Sequence, residues 1–437
     1  MPLALRPALT ALLLCACARG SSDAVRSDEG PAEDELSLVQ RDMEVRGLLG
    51  RRSAVGSAAG ARSPKPAPAA MLQTQRQVRE APLLYVDLDA EPESRWRNVT
   101  RHYKDIGAYP GALLLEEPLS QRLRDLVEAL KPDEEYLREV RGIVAEIGDP
   151  RVTVDGLLAH HLRHEMGSGS EAPSGLAETA ATMDFAGLLA AMPNGTVVHG
   201  RNMDYANFEI KLPDGRVFHW PEVTTEVVFL KQGRPLFTST HWPGQLGVHT
   251  AMRFGGWSFG ANAGRRGEAR DLLSGLRQGG ESLPLRARRI MESVPDFEAA
   301  VQEFYNSNVT APQYVIMAGT KPYEGVVLNV ERGGKHEPGK PLITRLSSEV
   351  PSIKGGKSRK RWHLVQTSDD QGSAEPGLRR LVEEDRLMTS PQNAVSAPWV
   401  LNEMLTQPIL GERTVFTTVY IPQTGYHRTI AHLNNLR

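Results

Sequence analysis

Both cysteines of the 437-residue chain, Cys15 and Cys17, lie within its first twenty residues. Everything downstream must therefore fold without a disulfide, without a thiolate metal site and without a thiol nucleophile. Stability has to come from buried apolar area and satisfied hydrogen bonds. The composition allows this, with 40% hydrophobic and 24% charged residues. The 51 basic and 53 acidic residues nearly cancel, which argues against a nucleic-acid partner held by a basic face. No apolar run reaches the roughly 18 residues of a membrane-spanning helix.

The start reads as an export signal over residues 1–18. Arg6 supplies the positive charge, Leu12, Leu13 and Leu14 the apolar centre, and Ala16 and Ala18 the small residues of a cleavage site. A lipid-attachment box at Leu14-Cys15-Ala16-Cys17 is the weaker alternative. Asn98, Asn194 and Asn308 each open an Asn-x-Thr glycosylation acceptor. Residues 19–81 mix charges with Ala, Gly, Ser and Pro, including Pro64-Lys65-Pro66-Ala67-Pro68. Such a segment buries too little apolar area to offset its conformational entropy and reads as a linker or pro-region.

From Pro82 the pattern becomes regular. A strand is expected over Leu83–Leu88, and helices over Ser120–Leu130, Glu134–Ile147 and Val152–His164, where apolar residues recur at helical spacing. Residues 82–184 thus form a largely helical region. Residues 185–437 turn to strands: Phe185–Ala190 and Thr196–His199 around an Asn194-Gly195 turn, then Val223–Leu230 and Pro235–Thr240. Helices over Leu272–Met291 and Phe297–Tyr305 and strands over Tyr314–Ala318, Gly325–Val330, Trp362–Thr367 and Thr414–Ile421 follow. Strands, then helices, then strands predict an α+β layered fold. Leu188 and Leu189 read as core.

The segment Val197-Val198-His199-Gly200-Arg201-Asn202-Met203-Asp204-Tyr205, preceded by Leu84-Tyr85-Val86-Asp87-Leu88-Asp89, Arg95-Trp96 and Glu139-Val140-Arg141-Gly142, has collinear companions downstream. Among them are Val228-Phe229-Leu230-Lys231, Glu324-Gly325-Val326-Val327, Val365-Gln366-Thr367 and Phe416-Thr417-Thr418-Val419. In this order they resemble the acid ceramidase and N-acylethanolamine acid amidase family of N-terminal-nucleophile hydrolases. The resemblance implies a four-layer αββα sandwich after a small helical α-subunit-like region. It implies no cofactor, a lipid amide substrate or ligand, and a lysosomal or extracellular address in the secretory pathway. It also implies a precursor that cuts itself before a cysteine, whose freed amine activates the thiol for attack on a lipid amide.

Placed on that pattern, the cysteine position, fourteen residues before His199, holds Phe185. Arg201 and Asp204 match the arginine and aspartate that hold the nucleophile. Arg379 or Arg380 matches the first of a later pair of arginines. The family's Asn-Glu-Arg reads Asn262-Ala263-Gly264, and its oxyanion asparagine reads Ser368. A phenyl ring has no lone pair for attack, Ala263 lacks both charge and acceptor, and Ser368 reaches less far than asparagine. Thr182 could in principle replace the nucleophile, but its offset of three places it on the opposite strand face. Two functions follow: a lipid-amide hydrolase with impaired or altered catalysis, or a silent relative that binds lipid or a partner.

Three further features have plain readings beside sharper ones. His160, His161 and His164 have a metal-like helical spacing, but a surface or junction helix is the simpler reading. The basic run Lys354, Lys357, Arg359, Lys360 and Arg361 is a solvated loop or a peripheral contact with anionic lipid. His241-Trp242-Pro243 either lines a lipid groove or ends a strand. If the signal is cut after Ala18, the mature protein holds no thiol. A thiol titration of denatured mature protein is expected to read zero, whereas one equivalent per chain means that Cys17 is retained.

Overall fold

The computed structural model describes residues 77–109, 120–166, 186–205, 209–211, 215–263, 269–332, 343–350, 359–367 and 378–433. All of them fall in one unit, Thr74–Arg437. The expected signal peptide and most of segment 19–81 lie outside the described residues. One correction applies to that segment: Val78–Glu80 already forms strand β1, paired with the last described strand, so order starts before Pro82.

Two sheets form the centre. The first has six strands. It contains β1, then β3 (Ala186–Ala191), β4 (Val197–Asp204), β16 (His363–Gln366), β17 (Thr414–Ile421) and β18 (Tyr426–His432), in the spatial order β1-β18-β17-β4-β3-β16. The second has eight strands. From one edge it runs through β13 (Ile343–Arg345), β12 (Gly325–Val330), β11 (Gln313–Gly319), β10 (Trp257–Ala263) and β9 (Thr250–Arg253). It continues through β8 (Arg234–His241) and β7 (Thr225–Lys231) to β2 (Leu83–Asp87). Two small hairpins, β5 (Glu209–Lys211) with β6 (Val217–His219) and β14 (Ser347–Val350) with β15 (Arg359–Arg361), stand apart.

The layers follow from which faces are apolar. Leu189, Ala191 and Val197 of the six-stranded sheet pack against Ile316, Ala318 and Val327 of the eight-stranded one. The outer face of the six-stranded sheet, with Leu188, Val198, Val365 and Val419, is covered by α9 (Leu378–Thr389) and α10 (Ala397–Met404) through Leu387, Val400 and Met404. The outer face of the other sheet buries Phe229, Phe237 and Phe259 under α4 (Glu134–Ile147), α7 (Leu283–Ser293) and α8 (Phe297–Tyr305). Phe259 stacks on Phe304 at 5.0 Å. The result is a four-layer αββα sandwich, and it explains why β3, buried on both faces, reads as a continuous apolar run.

The helical region forms as its caps dictate. Ser120 and Asp133 accept from the backbone of Leu123 and Tyr136, opening α3 (Gln121–Leu130) and α4. Thr153 does the same for Gly156 in α5 (Val154–Met166). Two short helices, α1 (Pro92–Arg95) and α2 (Arg97–Asp105), precede them and carry too few apolar positions to show a clear period. This region also supplies β2, which runs parallel to β7. The expected single helix over Leu272–Met291 is two, α6 (Ala269–Arg277) and α7. Gly279, at φ +79°, closes the first in a left-handed turn, and Pro284 opens the second.

α1 and α4 touch backbone to backbone at Gly142, where a Cβ would stand 2.0 Å from the carbonyl oxygen of Glu93. No side-chain rotation relieves such a clash. Gly142→Ala is expected to lose about 2–4 kcal/mol despite alanine's better helix propensity, measured by urea unfolding of the full chain. Equal or greater stability would mean that α1 is free to shift.

Candidate active site

The hairpin β3–β4 is built as its sequence requires. Gly195 takes φ +90°, Gly195 N–H donates to Met192, and Thr196 N–H donates to the Asn194 side chain at 3.0 Å. The turn fixes the register, so Gly187 lies opposite Arg201 on one side and Gln366 on the other. Gly187 lets the facing sheet close in, since a Cβ there would sit 2.3 Å from Ile316 Cδ1 and that methyl would have to move. β3 is first described at Ala186. Phe185, the residue before it, lies outside the described residues, as do Thr182 and Ser368.

Alternation along β4 divides its side chains between two faces. Arg201 points across the seam between the sheets and is 1% exposed. Its two terminal nitrogens donate to the backbone carbonyls of His249 and Ala261. Gly260 makes the space: a Cβ there would lie 3.1 Å from Arg201 Cδ. Burial pushes the guanidinium down to about 9, and Tyr420 and Asp204 oppose that shift, so Arg201 stays charged at neutral and acidic pH. His199 donates to or accepts from Ser258 Oγ at 2.9 Å, and burial pushes its imidazole down to about 3, so it is neutral.

The opposite face of β4 meets α10. Asn202 donates to the carbonyls of Met404 and Ile409 and accepts from Thr417, which satisfies it in full view of no solvent. Asp204, 2% exposed, accepts from Thr414 Oγ1 at 2.5 Å. Sequence reasoning did not single out Asn202 or Thr414. Asn202 lies inside the quoted motif, but only the fold shows that it anchors the end of α10.

Ala263 ends β10, opposite Gln313. Its neighbour Asn262 is buried and donates to the carbonyl of Gln366 at 3.2 Å, bridging the two sheets. Gln366 in turn donates to Thr367 O at 2.7 Å. The described neighbours of three positions singled out by the family resemblance therefore converge: Ala186–Gly187 after Phe185, Ala261–Asn262 before Ala263, and Gln366–Thr367 before Ser368. Arg201 touches the second group and pairs in register with the first. Arg379 lies on α9; Arg380 beside it is buried and 3.5 Å from Glu384 of its own helix.

The other candidates find structural roles. α5 is not a surface helix: Leu157, Leu158, His160, His161 and Leu162 are all buried. His161 sits 2.5 Å from the Tyr136 hydroxyl and 2.6 Å from Gly244 O, and burial pushes it down to about 4. Those contacts occupy both ring nitrogens; the side chain of His164 lies outside the described residues. No cluster of three potential metal ligands occurs among the described residues. His241 ends β8, and Trp242 is buried against Trp220 at 5.0 Å, donating to Thr224 Oγ1. That pair fills the core instead of lining a groove. Of the basic run, Lys360 and Arg361 are exposed in β15, and Lys354 and Lys357 lie outside the described residues. Asn98 on α2 and Asn194 in its turn are exposed, and Asn308 is half-buried. Among the described residues no helix is long and apolar enough to cross a membrane.

No protein-family model matches the chain. It is 25% identical over 348 residues to the N-acylethanolamine-hydrolyzing acid amidase of Rattus norvegicus, covering 77% of this chain and 85% of that protein. It is 25% identical over 205 residues to the acid ceramidase of Mus musculus, covering 45% and 48%. A solved Caenorhabditis elegans N-acylethanolamine-hydrolyzing acid amidase ortholog overlays with a TM-score of 0.44 at 22% identity, over 55% of this chain and 93% of that one. With its motifs in the same order along most of its length, the chain is a homologue of the N-acylethanolamine-hydrolyzing acid amidases and acid ceramidases.

Proposed function

We propose that this chain is a lipid-amide hydrolase relative of the secretory pathway, lysosomal or extracellular, whose cysteine-dependent catalysis is impaired or lost. It keeps the scaffold and serves to bind a lipid amide or a partner. One observation supports this above the others: no cysteine follows Cys17, and Phe185 stands immediately before β3, where the relatives' nucleophile is expected. Removing a nucleophile costs on the order of 10⁶ in rate. Removing a single oxyanion donor costs about 10²–10³. Ala263 and Ser368 add to the loss at Phe185.

Arg201 and Asp204 do not contradict the proposal. Both are buried and hydrogen-bonded to the fold, so their retention has a structural reason independent of chemistry. A buried charge that loses its partners is strongly destabilising.

Incubated at acidic pH with a fluorogenic lipid amide, the purified chain is expected to release no product above a buffer control. It should also remain uncut at Phe185. Hydrolysis matching a ceramidase or N-acylethanolamine amidase assayed alongside would end the proposal, and a new N-terminus at Thr182 would identify a replacement nucleophile.

The scaffold can be tested by restoring what is missing. Phe185→Cys alone should give trace self-cleavage at most. Combined with Ala263→Glu and Ser368→Asn, it should cut itself before the introduced cysteine in acid, while the pair without Phe185→Cys stays intact. The effects should be non-additive, because the groups act as a unit. A well-folded triple variant that remains uncut would show that Phe185 is misplaced or the scaffold incompetent.

A further inference from the structure

Away from the candidate site, two buried carboxylates compete for one cation. Glu383, on α9, is 1% exposed, and Glu403, on α10, is 7% exposed. One guanidinium nitrogen of Arg386 donates to Glu383 Oε2 at 2.9 Å and to Glu403 Oε2 at 3.0 Å. The other donates to the Gln407 carbonyl at 3.1 Å, which holds the guanidinium between the two helices. The second oxygen of Glu383, Oε1, is buried and receives no hydrogen bond.

An ionised carboxylate can only accept hydrogen bonds, and a buried oxygen with no donor carries a desolvation penalty. Two carboxylates on one guanidinium also leave a net negative charge in a low-dielectric seam. A single proton relieves both defects. The geometry points to a proton-binding site at the α9–α10 seam, where Glu383 and Glu403 share Arg386 and the pair takes up one proton as the surroundings become acidic.

Among the described residues, the other charged and titratable groups of the seam are engaged elsewhere or neutral. On α9, Arg380 is engaged with Glu384 one turn away. From β16, His363 is the titratable group on the face that α9 covers, and burial pushes it down to about 4, so it is neutral in the relevant range. The sheet face beneath the helices presents Val198, Val365 and Val419, with Asp204 bonded to Thr414 and His432 bonded to Thr417 as its titratable groups. Burial raises Glu383 to about 7; Arg386 opposes the rise and Glu403 reinforces it. The proton belongs to the coupled pair.

The sign of the effect follows. The folded-state value, about 7, lies above the ordinary 4.5, so between them the folded chain holds a proton that the unfolded chain releases. Stability from this seam is fully present below about 4.5 and is lost as pH rises through 7. The fold is consolidated in acid, and the helix so seated is the one that carries Arg379 and Arg380.

Glu383→Gln mimics the protonated side chain. By thermal unfolding at pH 7.5 the variant should melt about 2–4 °C above the wild type, and the difference should vanish at pH 4.5. No gain at pH 7.5, or the same gain at both pH values, overturns the proposal. Glu403→Gln should move the remaining transition to lower pH; an unmoved transition refutes sharing. Should either variant fail to fold, hydrogen exchange of wild-type peptides spanning 378–404 decides. Corrected for intrinsic rates, protection must rise as pH falls from 7.5 to 5, and a flat profile refutes the site.

Discussion

A positive charge locked between two sheets governs this architecture. Arg201 leaves one sheet and bonds to carbonyls of the other, where water cannot screen it and no solvent can replace its partners. The guanidinium suits this place because its rigid planar fork aims two separate nitrogens at two carbonyls, whereas an ammonium is a compact point charge without that fixed geometry. Around it the strands hold their register, Gly260 leaves space for the Arg201 side chain, and Gly187 lets Ile316 close over the seam. Residues that family resemblance assigns to chemistry are thus also residues that the fold cannot release. Such a scaffold can lose its nucleophile and still keep the surrounding motif, and a retained motif is therefore weak evidence of retained catalysis.

A second buried charge joins the helical region to the sheets. Glu139 of α4 receives Arg288 of α7 through both oxygens, at 2.5 and 2.7 Å, together with Arg95 at 2.9 Å and the indole of Trp96 at 2.7 Å. Arg288 lies over Trp96 and Phe229, each 5.5 Å from the ring centre. Arg288 holds the Glu139 carboxylate low against the desolvation that would raise it. Four residues from three segments satisfy one another here, Arg95 and Trp96 being neighbours in the chain.

The layered class, the helix at Glu134–Ile147 and the strands at Gly325–Val330 and Thr414–Ile421 were legible because one clear period and a capped or turn-bounded end coincided. Strands β9 and β10 were not. Thr250–Arg253 and Trp257–Ala263 are rich in Gly, Ser, Ala and Asn, and they become strands because neighbours on both sides bond to them. The same holds for α9 and α10, whose apolar faces are short and gain meaning only over the sheet they cover. At the candidate site, the motif containing Arg201 and Asp204 was visible as a string of residues. Its division between two faces was not. Nor was the bridge from Asn262 to Gln366, a contact between residues more than a hundred positions apart.

The pairing of β1 with β18 sets Val78 against His432, so the first described strand is completed by nearly the last. A ribosome delivers the first of these segments long before the second. Until the final strand emerges, β17 and β1 both offer open backbone edges, and no disulfide can hold a partial sheet together in the meantime. A chain ending shortly before Tyr426 would lack β18 and would leave the edges of β1 and β17 unsealed at once.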